Sequence, residues 1–89
     1  MRSKRTQQFR AQLLALPPHV RRQAYIAYRL FKHDPHHPSL QFKRVSQRKP
    51  LNSVRIGISY RALGIREEDD LMVWIWIGSH AEYDKLLSR

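Results

Sequence analysis

Residues 71–77 read Leu-Met-Val-Trp-Ile-Trp-Ile, seven consecutive apolar residues. An acidic turn, Glu67-Glu68-Asp69-Asp70, precedes them and Gly78-Ser79 follows. A short apolar run bounded by turn signals fits a strand in the middle of a sheet. The two segments before it alternate instead. Asn52 to Gly57 turns Val54 and Ile56 inward and Ser53 and Arg55 outward. After a tight turn at Gly57-Ile58-Ser59, Tyr60 to Ile65 sets Tyr60 and Ala62 on one face and Arg61 and Leu63 on the other. The expected sheet buries one face and presents Arg55 and Arg61 on a free face.

The first part of the chain has helical spacing. Residues 3–16 form an expected first helix, with Ser3 or Thr6 as N-cap and Phe9, Leu13 and Leu16 as its apolar stripe. Pro17-Pro18 ends it and opens a second helix, His19 to Lys32, which buries Val20, Ala24, Ala27 and Phe31. So short a joint predicts an antiparallel helical hairpin. His33-Asp34-Pro35 stops the second helix. Leu40 to Val45 reads as a short edge strand guarded by Lys43 and Arg44, and Ser46 to Pro50 as a loop carrying Arg48 and Lys49. Residues 80–88 suit a terminal helix capped by Ser79, with Glu82 at its third position. The expected order is α-α-β-β-β-β-α. It describes one α+β domain over residues 1–89, with the helical hairpin packed on a four-stranded antiparallel sheet.

Charge narrows the range of partners. The net charge is +10, and it is unevenly spread. Residues 1–66 hold fifteen Lys/Arg and one acid, Asp34, whereas residues 67–89 hold two bases and six acids. A folded domain with this imbalance suits a polyanion: RNA, DNA, an acidic protein segment or an anionic membrane. Cysteine is absent, which excludes disulfides, thiolate metal sites and a cysteine nucleophile and is compatible with a reducing cytoplasm. No apolar stretch reaches spanning length, so no membrane partner is expected. The Arg-rich start, MRSKRTQQFR, faintly resembles a transit peptide, but its apolar residues continue in register to Leu16 and favour a helix of the domain.

Five short patterns occur in a fixed order. They are Leu16-Pro17-Pro18-x-Val20, Pro38-x-Leu40-x-Phe42-Lys43, Ser53-Val54-Arg55-Ile56-Gly57, Tyr60-Arg61-Ala62-Leu63, and Trp74-x-Trp76-Ile77-Gly78-x-His80-x-x-Tyr83-Asp84. From Phe9 to Leu87 the chain resembles the RelE/ParE superfamily of bacterial type II toxins. The resemblance implies a helical hairpin behind a small antiparallel sheet, a basic groove on the free face, and an antitoxin whose acidic or amphipathic segment blocks that groove. It implies one of two activities: cleavage of mRNA on the ribosome, as in RelE-like members, or inhibition of DNA gyrase without bond cleavage, as in ParE-like members. Cytoplasmic growth arrest follows from either; no cofactor or metal is implied.

Cleavage through the 2′-hydroxyl needs a base, cations for the transition state and an acid for the leaving 5′-oxygen. The resemblance assigns Arg61 to the scissile phosphate. It sets Arg55 near a family lysine, His80 where an arginine or histidine is frequent, and Tyr83 near a terminal tyrosine that serves as base or stacking group. Lys43, Arg44, Arg48 and Lys49 are the expected RNA-backbone contacts. One departure is plain: where a RelE-type strand has two lysines flanking one residue, Ser53-Val54-Arg55 has a single cation, for which His80 can substitute. The residues alone also allow plainer roles. Arg55 and Arg61 suit solvated strand positions, His80 a helix end and Tyr83 a core position. Trp74 and Trp76, read as same-face residues, suit sheet core or base stacking. His33, His36 and His37 suit a polar turn more than a metal site, because no carboxylate is spaced to complete one. A third class, a basic RNA-binding protein without toxicity, fits the charge as well.

Overall fold

The computed structural model describes residues 1–88. Its elements are β1 (Arg2–Arg5), α1 (Gln7–Ala15), α2 (Pro18–His33), a 3-10 turn (Pro38–Leu40), β2 (Lys43–Arg44), β3 (Leu51–Ile56), β4 (Tyr60–Glu68), β5 (Leu71–Ser79) and α3 (His80–Leu87). The sheet order is β1-β5-β4-β3-β2, with β1 parallel to β5 and the other pairs antiparallel. The fold is α+β as expected, but the sheet is mixed and five-stranded.

The extra strand corrects the expected first helix. Residues 2–5 pair with β5 from Arg2 opposite Leu71 to Arg5 opposite Trp74. Between Met1 and Phe9 the chain has no apolar residue to bury, so a helix over residues 2–8 gains nothing from packing. An uncovered β5 edge, in contrast, would leave a row of unpaired amides and carbonyls. Thr6 continues the repair: its N–H donates to Trp74 O at 3.0 Å, and its hydroxyl caps α1 by accepting from Phe9 N. Beyond β1, the Gln12 side chain of α1 accepts from Ile77 N at 3.1 Å.

The helix joint also differs from a simple hairpin. Pro18 sits in the first turn of α2. Arg21 of α2 reaches back to the end of α1, donating to Leu16 O at 2.7 Å and Leu14 O at 3.3 Å. Each helix nevertheless takes its own strand: α1 lies against β5 and α2 against β3. A cleft of about 520 Å³ opens between them, floored by Val54, Ala62 and Ile77 and walled by Phe9, Leu13 and Tyr25. The core beside it centres on Phe31, whose ring meets Phe42 at 5.1 Å and Trp74 at 5.2 Å, both edge-on. Phe31 is 1% exposed, a burial that contributes on the order of 2–3 kcal/mol.

Three further expectations need correction. The expected strand Leu40–Val45 shrinks to Lys43–Arg44, because Leu40 closes the 3-10 turn and Gln41 adopts a left-handed conformation. β5 does not break at Gly78; it runs through Ser79, where the helix cap ends it. Within β5 the register against β4 slips, so that Leu63 faces Trp76 while Gly64 faces Trp74. Ile75 is the extra residue of a β-bulge. The bulge separates the two tryptophans: Trp74 joins Ala62 and Ile77 in the helix-covered core, and Trp76 shares the opposite face with Leu63. They are therefore not a same-face pair.

The β3–β4 turn needs glycine. Gly57 has φ +58, and a Cβ there would lie 2.5 Å from Gln23 Oε1. Gly64, at the bulge, needs space instead: a Cβ would meet Met72 Sδ and Trp74 Cε3 at 2.8 Å each. Gly64→Ala is expected to lower unfolding stability by about 1–3 kcal/mol through overpacking, measured by urea denaturation. Unchanged stability would show that Met72 and Trp74 repack without strain.

Candidate functional site

Pairing between β3 and β4 sets Arg55 directly opposite Arg61 and Ser53 opposite Leu63. Val54 and Ala62 are core residues, so the intervening pairs face away from α1 and α2. Arg55 and Arg61 thus share one face. That face is not open along its length. The third helix folds across it, and Tyr83 sits on the row that carries Ser53 and Arg61.

Arg61 is 7% exposed. Its Nη2 donates to Gln41 Oε1 at 2.6 Å, and its guanidinium carbon lies 5.4 Å from the centre of the Tyr83 ring. Its Nε and Nη1 are buried without an acceptor. Tyr83 is 6% exposed, and its hydroxyl donates to Ser53 Oγ at 3.2 Å. The phenol is therefore a buried, hydrogen-bonded group here. Arg55 is half-buried, with Nε donating to Gly57 O at 2.8 Å.

His80 stands at the rim. Its backbone N–H donates to Ser59 O at 2.7 Å, which ties the start of α3 to the β3–β4 turn. Its ring is exposed, 5.8 Å from the Tyr83 ring, and Nε2 lies 3.5 Å from Asp84 Oδ2. A chain of neighbours therefore links the four residues: Arg55 to Arg61, Arg61 to Tyr83, and Tyr83 to His80.

The four expected RNA contacts divide. Lys43 pairs opposite Ser53 and so belongs to the arginine face. Arg44 belongs to the other face, and its guanidinium folds back on Ser46 O and Gln47 O. Arg48 and Lys49 are exposed on a loop fixed by Ser46, whose hydroxyl accepts from both their backbone amides. Of the three turn histidines, His37 bonds Ser39 and His36 packs against Phe42. Among the described residues, no three His, Asp or Glu side chains gather at metal-binding spacing. Nor is any helix among them long and apolar enough to cross a membrane.

Sequence reasoning missed Gln41 and Ser53. Ser53 had a weak signal, a small polar residue in the arginine row of β3. Gln41 had none beyond its alternation with Leu40 and Phe42.

With the geometry in place, comparison with known proteins identifies the family. The model of the ParE-like toxin domain matches residues 18–85, and the chain belongs to that family, within the RelE/ParE superfamily of toxin-antitoxin toxins. No curated protein sequence matches the chain. Three solved structures share its fold. RelE in the RelB-RelE antitoxin-toxin complex of Methanococcus jannaschii is 13% identical, with TM-score 0.73, over 93% of this chain and 96% of that one. YafQ from E. coli strain BL21(DE3) is 16% identical, with TM-score 0.71, over 93% and 98%. The protein HP0894 from Helicobacter pylori is 18% identical, with TM-score 0.66, over 91% and 96%. At these identities the likeness is one of fold.

The cap that seats α3 is testable. Ser79 and Glu82 form a capping box: Ser79 Oγ accepts from Glu82 N at 3.1 Å, and Glu82 Oε1 accepts from Ser79 N at 3.0 Å. The bond from the Ser79 backbone amide, then that from its hydroxyl, lowers the Glu82 pKa below its ordinary 4.5. A carboxyl depressed on folding adds stability above its unfolded value and loses it as pH falls through the folded one. The contribution of Glu82 is therefore present at neutral pH and fades below 4.5. Ser79→Ala is expected to cost about 0.5–2 kcal/mol. By removing the hydroxyl bond while keeping the backbone one, it should also move the Glu82 titration, followed by carboxyl NMR, part of the way toward its ordinary value.

Proposed function

We propose that this chain is a translation-inhibiting toxin that cleaves mRNA on the ribosome, and that an acidic antitoxin neutralises it. The observation that carries the reading is Arg61, a buried guanidinium with two donor nitrogens lacking acceptors. A phosphodiester supplies the negative charge that this guanidinium lacks. In this reading His80 takes the proton from the 2′-hydroxyl. The 2′-oxygen then attacks phosphorus, the bond to the 5′-oxygen breaks, and water protonates that oxygen. Arg61 stabilises the added charge on the non-bridging oxygens. Arg55 raises the local positive potential, and Tyr83 holds the Arg61 guanidinium against its ring. Lys43, Arg48 and Lys49 contact flanking phosphates.

The RelE neighbour was solved in a complex with its antitoxin RelB. An acidic, amphipathic partner for this chain fits its +10 charge. The substrate puts the site of action in the cytoplasm.

A second reading has its own support. Ser53, where a second cation would stand, is fully buried, and Tyr83 is tied to it. A closed face with a single cation in the Ser53-Val54-Arg55 segment suits a ParE-like gyrase inhibitor that binds without cleaving.

Primer extension on mRNA from cells induced for the toxin separates the two. The expected result is new cuts on translated messages, reduced on the order of 100-fold in Arg61→Gln, while circular dichroism shows the fold retained. Stalled gyrase–DNA complexes without new cuts would overturn the nuclease reading in favour of the second.

A further inference from the structure

We infer that Gln41 is a positioning residue for Arg61, setting its guanidinium for phosphate without cancelling its charge. The inference rests on the reading of Arg61 as the phosphate-stabilising group. Gln41 has φ 46 and ψ 43, and among the described residues no other non-glycine residue has a positive φ. That left-handed region favours glycine and is sparsely populated by residues with a Cβ. The backbone here needs only its N–H, which donates to Pro38 O. Glycine would serve that turn at least as well, so the turn itself does not explain a glutamine.

The side chain does explain it. Leu40 is 2% exposed, and Phe42 packs on Phe31, so the residues on either side are anchored to the helix-covered core. Gln41 is thereby directed to the opposite face. Its side chain spans β3 to reach β4, where Oε1 accepts from Arg61 Nη2 at 2.6 Å. Of the guanidinium nitrogens, Nη2 is satisfied, while Nε and Nη1 remain unpaired. Tyr83 covers one side of the group.

The choice of an amide has a chemical consequence. A carboxylate at the same place would hold the guanidinium as firmly, but it would neutralise the positive charge that a phosphorane needs. A neutral acceptor fixes direction and leaves the charge intact.

Two variants test this. Gln41→Gly relieves the left-handed backbone while removing the one acceptor of Arg61, and these opposed effects should leave the thermal midpoint near that of wild type. In ribosome-dependent cleavage, kcat should fall about 10- to 100-fold with little change in KM, as expected for a misplaced transition-state group. Gln41→Glu should keep the hydrogen bond and the thermal midpoint yet lose kcat by a similar factor. A merely structural role predicts instead that kcat and thermal midpoint fall together in Gln41→Gly. That outcome, or kcat within twofold of wild type, overturns the inference. Should the wild type cleave nothing, the nuclease reading fails separately. In that case side-chain NMR of Arg61 decides the positioning role. Loss of its slowed guanidinium motion in Gln41→Gly supports the role, and unchanged motion overturns it.

Discussion

Strand β5 can be apolar on both faces because nearly every backbone group along both of its edges has a use. β4 takes one edge, and β1, Thr6 and Gln12 take successive parts of the other. α1 lies against one of its faces and α3 against the other. The remaining elements are arranged around that strand. β4 is held beside it in a register that fixes where Arg61 points, and β3 in turn fixes Arg55. The bulge at Ile75 lets a continuous apolar run serve both layers, sending Trp74 to the helices and Trp76 to the site face.

Against this hydrophobic frame stands a buried cation. Enclosing a guanidinium costs several kcal/mol unless donors find partners and charge finds its complement. Arg61 has one firm hydrogen bond and one aromatic face, with two nitrogens left over. The fold tolerates that deficit because Gln41, Ser53 and Tyr83 are themselves held by packing or hydrogen bonds. In the proposed reading, an anion at this group relieves a cost that the folded chain already carries. The surface ion pairs are a different matter. Arg2 with Glu68 and Asp70 is solvent-exposed and adds on the order of 0–1 kcal/mol.

What the sequence reveals depends on which forces leave a mark on side-chain order. The alternation in residues 52–65 left one, because a half-buried hairpin must keep period two; the shared face of Arg55 and Arg61 could be read from it. The Ser79–Glu82 cap left one as well, since each partner needs the other three residues away. β1 left none: Arg-Ser-Lys-Arg joins the sheet through backbone pairing, which imposes no side-chain pattern. The bulge left none because, in a run where every residue is apolar, a slip of register changes no visible pattern. The burial of Arg61 and Tyr83 depends on where α3 lands, and eight residues with two exposed leucines give little hint of direction. The candidate site was thus legible in its members and opaque in its enclosure.

The pairing of β1 with β5 joins residues about 70 positions apart. A chain emerging from the ribosome makes its helices and the β3–β4 hairpin from local contacts, but β5 comes late, and the first strand must wait for it. Such long-range closure is slow compared with helix and hairpin formation. Arg61 has no cover until Tyr83 follows. The enclosure of Arg61 is therefore completed only after nearly all of the sheet has left the exit tunnel.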